Sequence, residues 1–84
     1  MLIYGTPVEN THVRSIVASL FVTADPVAHT TAHTLARALD NGERIVAIKH
    51  YERDAILSVL GNPPDGLAEL RGVLARDHSG RANS

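Results

Sequence analysis

The sequence predicts a small α+β domain in which a small mixed sheet packs on one well-defined amphipathic helix. Apolar residues recur with helical spacing over residues 26–40, and β-branched runs at 13–23 and 44–51 lie on either side of that helix. Because the chain has 84 residues, we expect one folded domain over residues 1–62, followed by a linker and a C-terminal helix.

The composition is that of an ordinary globular chain that is too small to be very stable alone. Apolar residues make up 44% of it, the net charge is −1 with the histidines neutral, and it has no Cys. This composition excludes a wholly disordered chain, a disulfide-linked one and a strongly basic nucleic-acid binder. A chain of this size buries a modest share of its surface, so we expect a homodimer or higher oligomer to add stability.

Targeting and membrane signals are not found in the sequence. Residues 1–10 lack the charged and apolar regions of a signal peptide. The longest uncharged stretch, residues 15–24, is about half the length that a membrane span requires. We therefore expect a cytoplasmic protein with no membrane partner.

Two strands are predicted before the helix. Both alternating sets of side chains in residues 13–23 are largely apolar, which is typical of a strand covered on both faces and therefore central in its sheet. The short apolar run at residues 2–4, ahead of Gly5, is predicted to be an edge strand.

The helix over residues 26–40 has clear signals at both ends. Asp25 is a good N-cap, Pro26 suits the first helical position, and Gly42 suits the left-handed residue that ends a helix. Its apolar stripe consists of Ala28, Ala32, Leu35, Ala36 and Leu39.

Residues 44–60 allow two interpretations. A strand is predicted at 44–51, and residues 55–60 then form either the return strand of a hairpin that turns at 51–54 or a helix that stops at Gly61. Either choice is compatible with the apolar spacing, although the turn has no Gly or Asn at its tip.

The C-terminal part consists of a linker, an amphipathic segment and a tail. Residues 63–66 are the linker, residues 67–77 are the amphipathic segment with its helix over 66–76, and residues 78–84 are expected to be disordered. The apolar stripe of the segment either folds back on the chain's own sheet or docks in a groove on another protein. Its members are Leu67, Leu70, Val73 and Leu74.

Side chains that carry chemistry are sparse. His29 and His33 have the spacing of two zinc ligands on a helix, but no Glu lies between them and no third ligand stands out. We therefore interpret them, together with Arg37, as a solvent-facing stripe opposite the alanines. Glu52 and Asp54 are interpreted as solvating charges. No nucleophile with an adjacent base and no phosphate-binding glycine pattern is found. We expect no enzyme activity, no cofactor and no metal.

The basic residues are spread along the chain rather than clustered. One copy would therefore neutralise few phosphates, whereas a dimer aligns two sets of cations. The candidates for DNA contact are His33, Arg37 and Arg44.

One stretch of sequence resembles a known family. The order Leu35-x3-Leu39-x2-Gly42-Glu43-Arg44-Ile45-Val46-x-Ile48-x-His50, followed by Ala55-Ile56-Leu57, is similar to that of the Phd/YefM (prevent-host-death) antitoxins. The resemblance covers residues 28–76. It implies that residues 44–60 form a hairpin of two strands rather than a strand and a helix.

The resemblance also implies a function. A homodimer would repress its own operon by binding operator DNA, and the C-terminal segment would occlude a cognate protein toxin. The toxin-binding residues implied are Leu67, Leu70, Arg71, Val73 and Leu74. The alternative hypothesis is a small non-catalytic adaptor or structural subunit that forms an oligomer and does not bind DNA.

Overall fold

A computed structural model describes residues 1–63 and 65–82, with side chains at 1–63 and 65–77. Within these residues, four helices pack together with a small mixed sheet, which α2 and α4 contact, and this confirms the α+β fold class. The elements in chain order are β1 (Leu2–Ile3), β2 (Thr6–Pro7), α1 (Asn10–Phe21), α2 (Pro26–Asp40), β3 (Ile45–Val46), α3 (His50–Leu60) and α4 (Asp65–Ala82).

The sheet has the order β2-β1-β3, so β1 lies at its centre and not at its edge as predicted. It pairs antiparallel with β2 and parallel with β3, with Leu2 opposite Pro7 on one side and Ile45 on the other. The β1–β2 hairpin turns at Tyr4 and Gly5, which both have positive φ (54° and 79°). Such a two-residue turn matches the twist of the strands it joins.

Residues 13–23 do not form the predicted central strand. They belong to α1 and its C-terminal flank, and Val13, Ile16 and Leu20 are buried at helical spacing. A run that is apolar on all sides fits a strand or a helix equally well, and here the helical stripe at positions i, i+3 and i+7 is the one that packs on α2. Ala18 and Phe21, on the other side of the helix, are exposed.

The predicted helix over residues 26–40 is confirmed as α2 (Pro26–Asp40). The carboxylate of Asp25 accepts a hydrogen bond from the backbone N–H of Val27 at 3.0 Å, which satisfies one of the unpaired donors of the first turn. Asn41 is the C-cap of the helix, and Gly42 follows it with φ 65°.

The hairpin over residues 44–60 is wrong. The strand is limited to Ile45–Val46 and pairs with β1, and the other interpretation of the second half, a helix, is the one observed. Oε1 of Glu52 accepts a hydrogen bond from the Lys49 N–H at 3.0 Å at the start of α3. Ile56 and Leu60 then face the core. Residues 51–54, where the hairpin was predicted to turn, have no Gly or Asn of the kind that a tight turn needs.

Helix α4 folds back on the chain and completes its core. Leu67, Leu70 and Leu74 are at most 4% exposed and belong to the same buried cluster as the apolar residues of α1, α2 and α3. The helix packs mainly on α3 and β2. It begins at Asp65, inside the predicted linker, and continues past residue 76 to Ala82, so it includes five residues of the stretch expected to be disordered. Pro64 and residues 83–84 lie outside the described residues.

The docked position of α4 predicts unequal effects for two neighbouring substitutions. Leu70→Ala removes a side chain with no exposure, so it should lower the free energy of unfolding by about 2–5 kcal/mol. Val73→Ala, at a half-buried position of the same helix, should cost about 1 kcal/mol or less. Urea unfolding followed by circular dichroism measures both values, and equal small losses would show that α4 does not dock.

Candidate functional site

Two of the candidate DNA-contact residues lie in one groove between α2 and β3. His33 and Arg37 are exposed one turn apart on α2, facing a cavity of about 460 Å³. We call this cavity the α2–β3 groove. Its lining residues are Thr30, His33, Thr34, Arg37, Glu43, Ile45, Val46 and Ala47. The groove therefore combines one cationic side chain, one imidazole and the exposed side of a strand.

One exposed apolar side chain lies in the α2–β3 groove, and another lies next to it. Ile45 of β3 is 67% exposed in the groove, and Phe21, at the end of α1, is 43% exposed. The Phe21 ring meets the imidazole of His33 edge-on, with 5.1 Å between the ring centroids. His33 therefore connects Phe21 with the groove. We call the surface formed by Phe21, His33, Arg37 and Ile45 the α2 face.

The third DNA candidate, Arg44, lies beside this groove rather than in it. It lines an adjacent cavity of about 520 Å³ that shares Glu43 and Ile45 with the α2–β3 groove. Its other walls come from Met1, Leu2, Pro7, Asn10, Leu39 and Gly42. The three candidates thus lie beside β3. The charged side chains of the two cavities are Arg37, Arg44 and Glu43.

His29, the partner in the zinc-like spacing, has a different use. Its Nε2 lies 2.7 Å from the carbonyl oxygen of Thr23, to which it donates a hydrogen bond, and its ring lies 6.2 Å from that of Phe21. Within residues 1–63 and 65–77, no three His, Asp or Glu side chains are grouped so as to hold a metal ion. The hydrogen bond between His29 and Thr23 therefore fixes the loop before α2.

The residues implied as toxin contacts do not share one exposed surface. Leu67, Leu70 and Leu74 are core residues, because the apolar stripe of α4 folds back on the chain itself. Val73 is half-buried. Arg71 is exposed, and its Nε donates a hydrogen bond to the carbonyl oxygen of Gly61 at 2.6 Å, so it joins α4 to the C-terminal end of α3. In this conformation the leucines are not available to a second protein.

A buried arginine that the sequence analysis did not identify joins three parts of the fold. Arg53 is 2% exposed, and its guanidinium contacts Asp54 at 2.9 Å and Asp77 at 2.5 Å. The phenol of Tyr4, in the β1–β2 turn, also donates a hydrogen bond to Asp77. The Tyr4–Arg53–Asp77 cluster thus holds α4 against α3 and the hairpin. A charged residue between two acidic neighbours in sequence gave no signal of burial.

The cluster changes the ionisation of two of its members. The hydrogen bond to the Asp77 carboxylate raises the pKa of Tyr4 above its ordinary value of 10.0, and burial of the phenol acts in the same direction. The hydrogen bond to Asp54 is the main cause that raises the pKa of Arg53, which remains a cation. The cluster is therefore a fixed electrostatic contact at neutral pH.

A second tight contact fixes the start of α4. A Cβ atom built on Gly66 would lie far inside van der Waals contact with Cε1 of the His12 ring. The imidazole of His12 therefore lies directly on the backbone of the first turn. Its Nδ1 is buried and has no hydrogen-bond partner among the described residues.

Comparisons with protein-family models, with curated proteins and with solved structures give no match to this chain. Among the described residues, no helix combines the length and the apolar character that a membrane crossing requires.

The Tyr4–Asp77 hydrogen bond predicts an alkaline sensitivity. The phenol of the unfolded chain ionises near its ordinary pKa, whereas that of the folded chain stays protonated to higher pH. Stability should therefore fall as the pH rises above about 10. The chain has two tyrosines, so the Tyr51→Phe variant reports the ultraviolet titration of Tyr4 alone.

In that background, Asp77→Asn should move the titration of Tyr4 back toward its ordinary pKa. The Tyr4→Phe variant, in turn, should lose less stability than the wild type between pH 9 and 11, roughly the range of phenol ionisation. If the titration of Tyr4 is the same with Asp77 and with the asparagine, the hydrogen bond does not control it.

Proposed function

We propose that this chain is a small non-catalytic adaptor or structural subunit that assembles with other protein chains through its α2 face. The observation that carries the proposal is the pair of exposed apolar side chains, Phe21 and Ile45, which His33 connects across one surface. Exposed large apolar residues that adjoin one another mark interaction sites more often than isolated ones do. We place this subunit in the cytoplasm.

The charges of the described residues support an interaction role. The buried ionisable groups have partners within the fold: Arg53 joins α3 to α4 through Asp77, and Glu52 caps the start of α3. Arg37 and Arg44, in contrast, are exposed around β3 and contact no acidic side chain within 4.0 Å in the described part of the chain. Two exposed cations therefore lie beside the strand that carries Ile45, next to the exposed apolar residues.

The α2 face predicts a selective loss of binding. Phe21→Ser should weaken assembly at least about tenfold, because an exposed aromatic anchor is replaced by a small polar side chain. Tyr51→Ser is the matched control, since Tyr51 is 48% exposed and does not line the groove. Sedimentation equilibrium measures self-association, and affinity purification from the source cells with both variants identifies other chains.

Two results would contradict this proposal. The first is a wild-type chain that sediments as a monomer and whose affinity purification recovers the same proteins as that of the Phe21→Ser variant. The other is an equal loss of binding in the Tyr51→Ser control.

A second proposal is an antitoxin of the Phd/YefM type, with the toxin bound by α4 and operator DNA by His33, Arg37 and Arg44. The order of residues 28–76 supports it, as does the packing of α4, which lies mainly on two elements, α3 and β2. Toxin binding through Leu67, Leu70 and Leu74 requires α4 to leave the core, and the Arg71 contact with Gly61 to break. The α2 face requires no such rearrangement, so we place this proposal second.

A growth assay separates the two proposals. The gene next to this one is expressed with the chain, and an antitoxin restores growth that the neighbouring product inhibits. Arg71→Glu should then abolish the rescue, while Arg14→Glu, an exposed arginine on α1, should leave it intact. A neighbouring product that does not inhibit growth, or rescue that survives Arg71→Glu, argues against toxin binding by α4.

A further inference from the structure

The outer edge of β3 has unused backbone hydrogen-bonding groups. The Leu2 N–H donates a hydrogen bond to the Arg44 carbonyl at 2.7 Å. In the parallel register of β1 and β3, the backbone groups that bond to β1 are therefore those of Arg44 and Val46. In a parallel ladder the alternate residue points its N–H and C=O the other way. The N–H and C=O of Ile45 therefore face away from β1, and no described residue bonds to them.

The α2–β3 groove runs along this free edge. A strand added to β3 would lie about 4.8 Å away in the plane of the sheet, between β3 and the exposed side of α2. Thr30, His33 and Arg37 line the helix side of the groove. Alternate side chains of such a strand would therefore contact α2, while its backbone bonds to Ile45.

The charge of the helix side favours an acidic side chain. Arg37 is exposed and has no ion-pair partner in the described part of the chain, and a guanidinium binds a carboxylate through two parallel hydrogen bonds. Glu43, the acidic residue in the groove, disfavours a uniformly acidic strand. One acidic side chain between apolar ones fits these walls best.

A second copy of this chain fits the groove less well. Residues two apart in a strand share a face, so the β3 strand of a second copy would present Arg44 on the same face as Val46, toward Arg37. The accessible surface of the chain is 5131 Å², close to the roughly 4,900 Å² expected for a compact monomer of its mass. Burial of the core does not require a second copy.

We propose that the α2–β3 groove binds an extended segment of a partner protein as an added β-strand, with an acidic side chain of that segment paired to Arg37. Backbone hydrogen bonds to Ile45 supply affinity, and the helix side of the groove selects the sequence. This inference rests on the proposed adaptor function and names the form that its partner takes.

A peptide selection tests the inference on the whole chain. A phage-displayed library of random heptapeptides is selected on the immobilised protein, and the enriched sequences are made as free peptides for fluorescence-anisotropy titration. We expect apolar residues in alternation with a single Asp or Glu. Replacing that acid by its amide should weaken binding about tenfold, and Arg37→Gln should remove this difference between the two peptides.

Two changes test the backbone bonds. Ile45→Pro removes the outward N–H but leaves the bonds to β1, which use Arg44 and Val46, so it should weaken binding at least about tenfold, whereas Ile45→Val should change it less than about twofold. On the peptide, N-methylation of the amides that face β3 should abolish binding, and methylation of the alternate amides should not. The peptide experiment needs no protein variant and so does not depend on whether Ile45→Pro folds.

Three results would overturn the inference. The selection enriches no peptide, the enriched peptides bind equally well when either set of amides is methylated, or the wild type is a dimer that Ile45→Pro converts to monomers, which assigns the edge to a second copy. If Phe21→Ser abolishes assembly while Ile45→Pro does not, the adaptor function stands and the added strand is wrong. If neither variant affects assembly, the adaptor function and the added strand are both wrong.

Discussion

Helix α2 contacts α1, α3 and β3, so its buried face is the surface on which most of the core assembles. That face consists mainly of small side chains, with Ala28, Ala32 and Ala38 around a single large residue, Leu35. Small side chains let neighbouring helices approach closely, and α1 and α3 then supply the volume through Ile16, Leu20 and Ile56. The positions of the other helices, and with them the groove beside β3, depend on this division between small and large residues.

The parts of the fold that the sequence predicted correctly are those whose signals are local. Asp25, Pro26 and Gly42 define both ends of α2 without reference to any other element, and the structure confirms them. Residues 13–23 were misassigned because they are apolar on all sides, so their periodicity does not distinguish a strand from a helix. The pairing of β1 with β3 joins residues far apart in the chain, and a two-residue strand has no pattern of its own.

The candidate site was predicted in part. His33 and Arg37 were identified as one exposed stripe, and the structure places them in one groove. The role of β3 as its other wall could not be inferred, since it depends on which strand edge stays free. Arg53 and Glu52 looked like surface charges in a charged run, but both are buried with partners. Burial of a charged residue depends on its tertiary neighbours, which the local sequence does not reveal.

The contact of His12 with Gly66 has a consequence for recognising relatives of this chain. Any side chain at position 66 would displace either the imidazole or the first turn of α4, and α4 carries three leucines of the core. A residue larger than glycine at position 66 therefore requires the ring at position 12 to move aside or to be replaced by a smaller side chain. In relatives of this chain, the residue types at these two positions should vary together.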